Sequence, residues 1–184
     1  EQILTQVLKL SGYNVFATKE YMSRIRGGAN STEIRIASQR VPAFVDRIDI
    51  LIPLIPGAIK HLEKRITPQT VILAEKGSFE KECLPDKCNI VNIPFNQMAT
   101  DLGSPIYANI VAIGAVSGLL GIDLQIINQF LQQRFSTKDQ DVIRKNIEAA
   151  EKGYTIGVEL SRSGKIQIGQ PPSSQAKDQI ILSG

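Results

Sequence analysis

The segment Ile48–Leu54, IDILIPL, is almost continuously apolar. Strands that are covered by helices on both faces have this character, whereas a strand with one solvated face alternates. A second such run, TVILAE at Thr70–Glu75, follows an amphipathic stretch, AIKHLEKRI, that begins after Pro56 and Gly57. Two buried strands joined by a helix predict a parallel β-α-β unit with a right-handed crossover.

Further helices and strands extend this pattern. EQILTQVLKLSG has helical periodicity, YNVFAT and CNIVNIP are typical of strands, and STEIRIAS alternates with Ile34 and Ile36 on one face. Helices that alternate with apolar strands predict the α/β class. The expected architecture is a three-layer α/β/α sandwich with a Rossmann-like, mostly parallel sheet.

The second half of the sequence is helical. Within SPIYANIVAIGAVSGLLG, the apolar run Ile106–Gly121 is shorter than the roughly 20 residues of a membrane span, so a buried helix is favoured. Its small residues keep this helix thin, so that it can lie close against the sheet or a partner: Ala108, Ala112, Gly114, Ala115 and Gly118. Ser104 and Asp123 are the expected N-caps of this helix and the next.

The last helix is expected to begin at a capping box formed by Thr137 and Gln140. Its buried stripe is predicted to be Ile143, Ile147, Ala150 and Tyr154. Beyond it, GKIQIGQPPSSQAKDQIILSG contains a Pro-Pro-Ser-Ser linker signal and no core of its own. The expected organisation is one domain at 1–157 followed by an exit segment at 158–184.

The composition of the chain argues against several classes of function. With 184 residues, 42% of them hydrophobic, the chain fits one globular domain. A net charge of +3 and only 5% aromatic residues argue against nucleic-acid binding. Two cysteines and no signal peptide favour the reducing cytoplasm, and no membrane association is expected.

The sequence holds no self-contained catalytic set. His61 is the only histidine and sits among charges in KHLEKR, so it is interpreted as a surface residue. Cys83 and Cys88 are too few for a zinc or iron–sulfur site. Reduced thiols at a loop edge are favoured for them, with a redox-formed disulfide as the alternative. Neither a dinucleotide fingerprint nor a Walker A motif is present.

One short loop concentrates residues that suit an anion. YMSRIRGGANST contains Arg24, Arg26, Gly27, Gly28 and Asn30. The glycines alone fit a chain reversal with positive φ. Their amides, backed by guanidinium groups, also suit a phosphate or carboxylate. The arginines alternatively suit a protein interface. Spacing leaves all three interpretations open.

The sequence resembles the gamma domain of 2-oxoacid:ferredoxin oxidoreductases over most of Gly12–Tyr154. Four stretches carry the resemblance: GYNVFATKEYMSRIRGGANSTEIRIAS, DILIPL, SPIYANIVAIGAVSGLLGI and NIEAAEKGY. The form YMSRIRGG is most similar to the version fused to the N-terminus of an alpha subunit, and QIILSG resembles the approach to a following thiamine-enzyme-like domain. Family members begin with a strand and a glycine-rich turn, which this sequence lacks.

The resemblance implies a non-catalytic domain of a larger enzyme. In that enzyme, thiamine diphosphate with Mg attacks a 2-oxo acid, carbon dioxide leaves, iron–sulfur clusters pass electrons to ferredoxin, and coenzyme A takes the acyl group. None of these cofactors is implied to be held by this chain. The implied partners are thiamine-binding domains or subunits, with ferredoxin reached through an oligomeric complex.

The resemblance also makes the loop with Arg24, Arg26, Gly27, Gly28 and Asn30 the candidate contact for coenzyme A or for another domain. Among pyruvate, 2-oxoisovalerate and 2-oxoglutarate, the fused form favours 2-oxoglutarate or a general 2-oxo acid. The alternatives are a stand-alone Rossmann-like module that binds a nucleotide or anion, and a purely structural interaction domain.

Overall fold

The structure is a computed structural model that describes residues 2–20, 30–40, 43, 45–55, 57–75, 77, 89–164 and 166. In chain order its elements are α1 (Gln2–Leu10), β1 (Asn14–Glu20), β2 (Ser31–Ala37), β3 (Ile50–Leu51), α2 (Ala58–Leu62), a 3₁₀ turn (Glu63–Arg65), β4 (Val71–Ala74), β5 (Asn89–Asn92), α3 (Phe95–Asp101), a 3₁₀ turn (Pro105–Tyr107), α4 (Ala108–Leu119), α5 (Leu124–Arg134) and α6 (Gln140–Arg162). This mixture of helices around strands confirms the three-layer α/β/α class.

The five strands in the described part of the chain form two hydrogen-bonded groups. β1 and β2 pair antiparallel, in a register that places Glu20 opposite Ser31. β3, β4 and β5 pair parallel in that order. The predicted parallel unit β3-α2-β4 is therefore present, while the first two strands form a hairpin. β3 is shorter than the predicted strand Ile48–Leu54, because Pro53 has no amide hydrogen to donate to a ladder.

Both faces of β3 and β4 are covered, whereas most of β5 is exposed. Val71 and Leu73 of β4 face the large core, which includes Val7 and Leu8 of α1 and most of α4. The alternate residues of β3 and β4 face α2 in a second cluster: Leu51, Ile59, Ile66, Ile72 and Ala74. This burial on both faces explains why the strand sequences are continuously apolar.

Helices α4 and α6 touch backbone to backbone. A Cβ atom built on Gly153 would overlap the carbonyl oxygen of Val111 and lie 3.0 Å from the amide nitrogen of Ala115. Gly157 of α6, and Gly114 and Gly118 of α4, meet the facing helix backbone in the same way. The predicted thin helix is confirmed by this contact, and its close neighbour is α6.

The predicted caps are confirmed at two helices and wrong at the third. Ser104 and Asp123 accept backbone N–H bonds from Ile106 and Gln125 respectively. At α6 the cap is Asp139, whose Oδ1 accepts from the amide of Asp141 at 2.9 Å. The predicted N-cap, Thr137, is therefore two residues too early in the chain. The carboxylate of Asp139 lies closer to the first turn and accepts from the amide that a cap must satisfy.

Replacing Asp139 with alanine should therefore cost about 1 kcal/mol of unfolding free energy, which is the usual contribution of an N-cap. Replacing Thr137 with alanine serves as the matched control, and we expect it to change stability by less than about 0.5 kcal/mol. Urea unfolding of both variants measures the difference. A larger loss of unfolding free energy for the Thr137 variant would instead indicate that Thr137 is the N-cap and forms the capping box with Gln140.

The outer face of α6 carries ion pairs between residues four apart. Lys145 lies 2.9 Å from Asp141, and Lys152 lies 3.1 Å from Glu148. The hydrogen bonds from Lys145 and Arg144 hold the pKa of Asp141 below its ordinary value. Among the described helices, none combines the length and the apolarity that a bilayer span requires.

Candidate functional site

A cleft of about 390 Å³ opens where the hairpin ends, between the start of α1 and the end of α5. Its polar lining consists of Gln2, Lys19, Glu20, Asn30, Ser31, Thr32 and Arg134. Ile3 and Phe135 supply the apolar part of the wall. The cleft is open and shallow, so it suits part of a large polar ligand, or a surface of another domain, better than a small buried substrate.

The position of the cleft is fixed by the hairpin. Glu20 ends β1 and Ser31 begins β2, and these two residues are paired in the ladder. Glu20 and Asn30, the described residues on either side of 21–29, both line the cleft. The predicted anion loop is attached at this place.

Of the predicted site residues, Asn30 is exposed and lines the cleft. Arg24, Arg26, Gly27 and Gly28 lie outside the described residues. The structure adds two cations that the sequence reasoning missed, Lys19 at the end of β1 and Arg134 at the end of α5. They are more than a hundred positions apart, so no local motif could have joined them.

Glu20, the single carboxylate among the described lining residues, already has hydrogen-bond partners. Glu20 Oε2 lies 3.0 Å from His61 Nε2 and accepts a 3.2 Å hydrogen bond from the Ser31 hydroxyl. His61, followed by Ser31, holds the pKa of Glu20 below its ordinary value. Because Glu20 is directed to these partners, the cationic side chains Lys19 and Arg134 dominate the charge of the lining.

His61 lies at the surface, as the sequence suggested, and its side chain is partly covered. Its side chain retains 24% of its accessible surface and contacts the end of β1 through Glu20. One turn later, Arg65 forms an ion pair with Glu33, lies 3.3 Å from Asp46 and donates to the carbonyl of Val45 at 3.1 Å. These contacts fasten α2 to the polar face of the hairpin and so hold the cleft rim.

Replacing His61 with alanine should raise the pKa of Glu20, and by more than replacing Ser31 with alanine, because His61 is the larger cause of its depression. The depressed pKa means that this carboxylate stabilises the fold above its unfolded pKa and loses that effect as pH falls through the folded pKa. Carboxyl-carbon NMR titration of Glu20 in the three proteins measures the shifts. A Ser31 effect that equals or exceeds the His61 effect would contradict the assignment.

The chain does not supply the ligands for an iron–sulfur cluster by itself. Such clusters need four protein ligands, usually thiolates, and the sequence has two cysteines, Cys83 and Cys88, both outside the described residues. Within the described part of the chain, no group of three or more His, Cys, Asp or Glu side chains could hold a metal ion.

Comparison with known proteins identifies the family. Residues 1–156 match the pyruvate ferredoxin/flavodoxin oxidoreductase family. The chain belongs to this family. A curated member is the 2-oxoglutarate synthase subunit KorC of Archaeoglobus fulgidus, with 24% identity over 162 residues that cover 87% of this chain and 79% of the relative.

A second relative, the alpha subunit of a Sulfolobus 2-oxoacid:ferredoxin oxidoreductase, is 25% identical over 218 residues. The alignment covers 95% of this chain and 33% of that subunit. The chain thus spans most of one relative and about a third of the other. The gamma-type domain therefore occurs in this family both as a separate subunit and within a longer alpha subunit.

Two solved structures share the fold. A 2-oxoglutarate:ferredoxin oxidoreductase from Magnetococcus marinus, with 2-oxoglutarate, coenzyme A and succinyl-CoA bound, matches 92% of this chain and 30% of its own, with 22% identity and a TM-score of 0.76. The gamma subunit of a keto/oxoacid ferredoxin oxidoreductase from Geobacter sulfurreducens matches 85% of this chain and 90% of its own, with 18% identity and a TM-score of 0.62.

Proposed function

We propose that the chain is the non-catalytic gamma domain of a 2-oxoacid:ferredoxin oxidoreductase, organised as one domain at 1–157 with an exit segment at 158–184. The family match over residues 1–156 carries the proposal. The enzyme would oxidatively decarboxylate a 2-oxo acid with thiamine diphosphate and Mg and pass the electrons to ferredoxin. 2-Oxoglutarate is the favoured substrate, because two of the relatives are named for it.

The domain contributes a binding surface and leaves the chemistry to its partners. Neither the cysteine count nor the described acidic and histidine side chains fit a redox centre. The thiamine and iron–sulfur chemistry therefore belongs to thiamine-binding domains or subunits docked against this one. One relative is a separate subunit and another is a longer alpha subunit. The surface that docks against the thiamine-binding domain would therefore be the same whether the two domains belong to one polypeptide or to two.

The cleft is the proposed contact for the phosphate groups of coenzyme A. Lys19 and Arg134 give its described lining a cationic character, and Asn30 adds an amide donor. Arg24 and Arg26, with the amides of Gly27 and Gly28, would supply charge-assisted hydrogen bonds from the attached loop. An open rim fits a ligand whose acyl end must reach a thiamine site on another domain. The same loop at an interface with that domain is the alternative role.

Titration calorimetry separates this function from a stand-alone nucleotide-binding module. The purified chain should bind coenzyme A, ADP and NAD no more tightly than about 1 mM, which corresponds to roughly 4 kcal/mol, because half of the site is supplied by the partner. The assembled enzyme should bind coenzyme A far more tightly. Micromolar binding of ADP or NAD by the chain alone would instead favour the independent module.

A further inference from the structure

The pleat of the hairpin places the charges of the cleft on opposite faces. Successive side chains of a strand alternate between the two faces, so Lys19 shares a face with Val15 and Glu20 lies on the other. Val15 and Ile36, which are paired in the ladder, pack against the large core. Lys19 therefore lies on the core side of the hairpin, whereas Glu20 lies on the side that contacts α2.

Arg134 approaches the cleft from the same side as Lys19. It is the last residue of α5, and Ile127 and Leu131 of this helix belong to the large core. Both cations of the described lining therefore reach the cleft from the core side, while the carboxylate of Glu20 comes from the α2 side.

The carboxylate of Glu20 keeps this position through two partners. Glu20 is the last residue of β1, and its side chain retains 57% of its accessible surface. A glutamate has three rotatable side-chain bonds, so an exposed carboxylate reaches several positions unless a partner holds it. His61 Nε2 at 3.0 Å and the Ser31 hydroxyl at 3.2 Å hold it here. Of the two, His61 lowers the pKa of Glu20 more.

His61 is the better anchored member of its pair with Glu20. Its side chain retains 24% of its accessible surface, against 57% for Glu20. The helix that carries His61 buries Ile59 against the parallel strands, and Arg65, one turn later, pairs with Glu33 of the hairpin. With its proton on Nε2, an imidazole donates to a carboxylate in both its neutral and its charged form. The imidazole therefore sets the position of the carboxylate.

We infer that His61 is a positioning residue for the anionic ligand of the cleft, because it holds the carboxylate of Glu20 away from Lys19 and Arg134. A released carboxylate would be attracted to these cations and would compete with a phosphate group for them. His61 itself would not touch the ligand and would act only through Glu20. This inference rests on the proposed function, in which the cleft contacts the phosphate groups of coenzyme A.

Steady-state kinetics of the assembled enzyme at varied coenzyme A concentration test the inference. We expect His61→Ala to raise the apparent KM for coenzyme A about threefold, as for other exposed charge interactions, while kcat stays unchanged. Glu20→Gln removes the competing charge, so the double variant His61→Ala with Glu20→Gln should return to within about twofold of the parent KM. His61→Gln, whose amide still donates to the carboxylate, should also stay within about twofold.

A second variant leaves His61 in place. Glu20→Asp keeps the charge but shortens the side chain by one methylene group, so the carboxylate loses its bond to His61. The apparent KM for coenzyme A should then rise as it does for His61→Ala. A rise for His61→Ala that persists when Glu20→Gln is added, or no rise in either His61→Ala or Glu20→Asp, would overturn the inference.

Arg134→Met separates this inference from the proposed function. The change removes a cation of the cleft but neither member of the His61–Glu20 pair, and it should raise the apparent KM for coenzyme A roughly tenfold. If Arg134→Met raises KM and His61→Ala does not, coenzyme A contacts the cleft and only the positioning role of His61 is refuted. If neither variant changes KM, the cleft is not the contact and both proposals fail.

Discussion

Replacing Gly153 with alanine should destabilise the chain by about 3 kcal/mol or more. In an ordinary solvent-facing helix the same change stabilises, because alanine exceeds glycine in helix propensity by about 0.8–1.0 kcal/mol. Here the new methyl group would overlap the carbonyl oxygen of Val111 and lie 2.8 Å from its carbon. A backbone carbonyl cannot rotate away as a side chain can, so α4 and α6 must separate along their length and lose packing.

Urea unfolding of the purified chain measures this loss, and a fall in Tm of roughly 6–12 °C should accompany it. The matched control is Ser161→Ala, an exposed position near the end of the same helix, which should change stability by less than about 0.5 kcal/mol. A stability equal to or above that of the parent for Gly153→Ala would show that the two helices do not touch at this point.

Replacing Arg24 and Arg26 together with alanine should raise the apparent KM of the assembled enzyme for coenzyme A by roughly tenfold or more. A hydrogen bond to a charged group contributes about 1.5–3 kcal/mol, and a tenfold change in affinity corresponds to 1.4 kcal/mol. Since these side chains would contact the phosphate end of the ligand and not the reacting carbon, kcat should change little. Steady-state kinetics at varied coenzyme A concentration measures both quantities.

Arg162→Ala is the matched control for this loop variant, because it removes an exposed arginine from the distant end of α6. Its kinetics and its elution with the partner subunits should equal those of the parent. If the loop variant elutes apart from its partners while the KM of any residual complex is unchanged, the loop contacts a neighbouring domain. Unchanged kinetics together with unchanged assembly would remove Arg24 and Arg26 from the site altogether.

The sequence predicted the thickness of α4 but not its neighbour. The small residues Gly114 and Gly118 indicated that another part of the protein packs closely against α4. They did not show whether this was the sheet or a partner. The buried stripe predicted for α6 included Ile143 and Tyr154 but missed Gly153 and Gly157, which make the contact. The shared Gly-x-x-x-Gly spacing of the two helices was the available signal.

The sequence also predicted where the strands lie but not all of their pairing. An apolar run indicates that a strand is buried on both faces, but it does not indicate whether the neighbouring strands are parallel or antiparallel. The antiparallel pairing of β1 with β2 was therefore not evident from the sequence. Pro53 shortened β3 because a ladder needs an amide hydrogen at that position. Asp139 displaced Thr137 as the cap because both side chains compete for the first amides of one helix.

The candidate site was predictable only in its local part. The loop from Arg24 to Asn30 is contiguous, so its charge and glycine content could be recognised directly. Lys19 and Arg134 line one cleft because the fold brings the end of α5 near the end of the hairpin, and Glu20 in the same lining is bonded to His61. Such long-range relations follow from the fold and have no counterpart in residue spacing.

Reduction of ferredoxin driven by 2-oxoglutarate and coenzyme A, followed spectroscopically, tests whether this domain depends on its partners for catalysis. Three samples are compared at equal concentration: the purified chain, the thiamine-binding partner subunits, and the two combined. We expect no turnover of the 2-oxo acid by the chain alone and full activity only in the combined sample. Turnover by this polypeptide alone, or full activity of the partners without it, would refute the assignment as a non-catalytic domain.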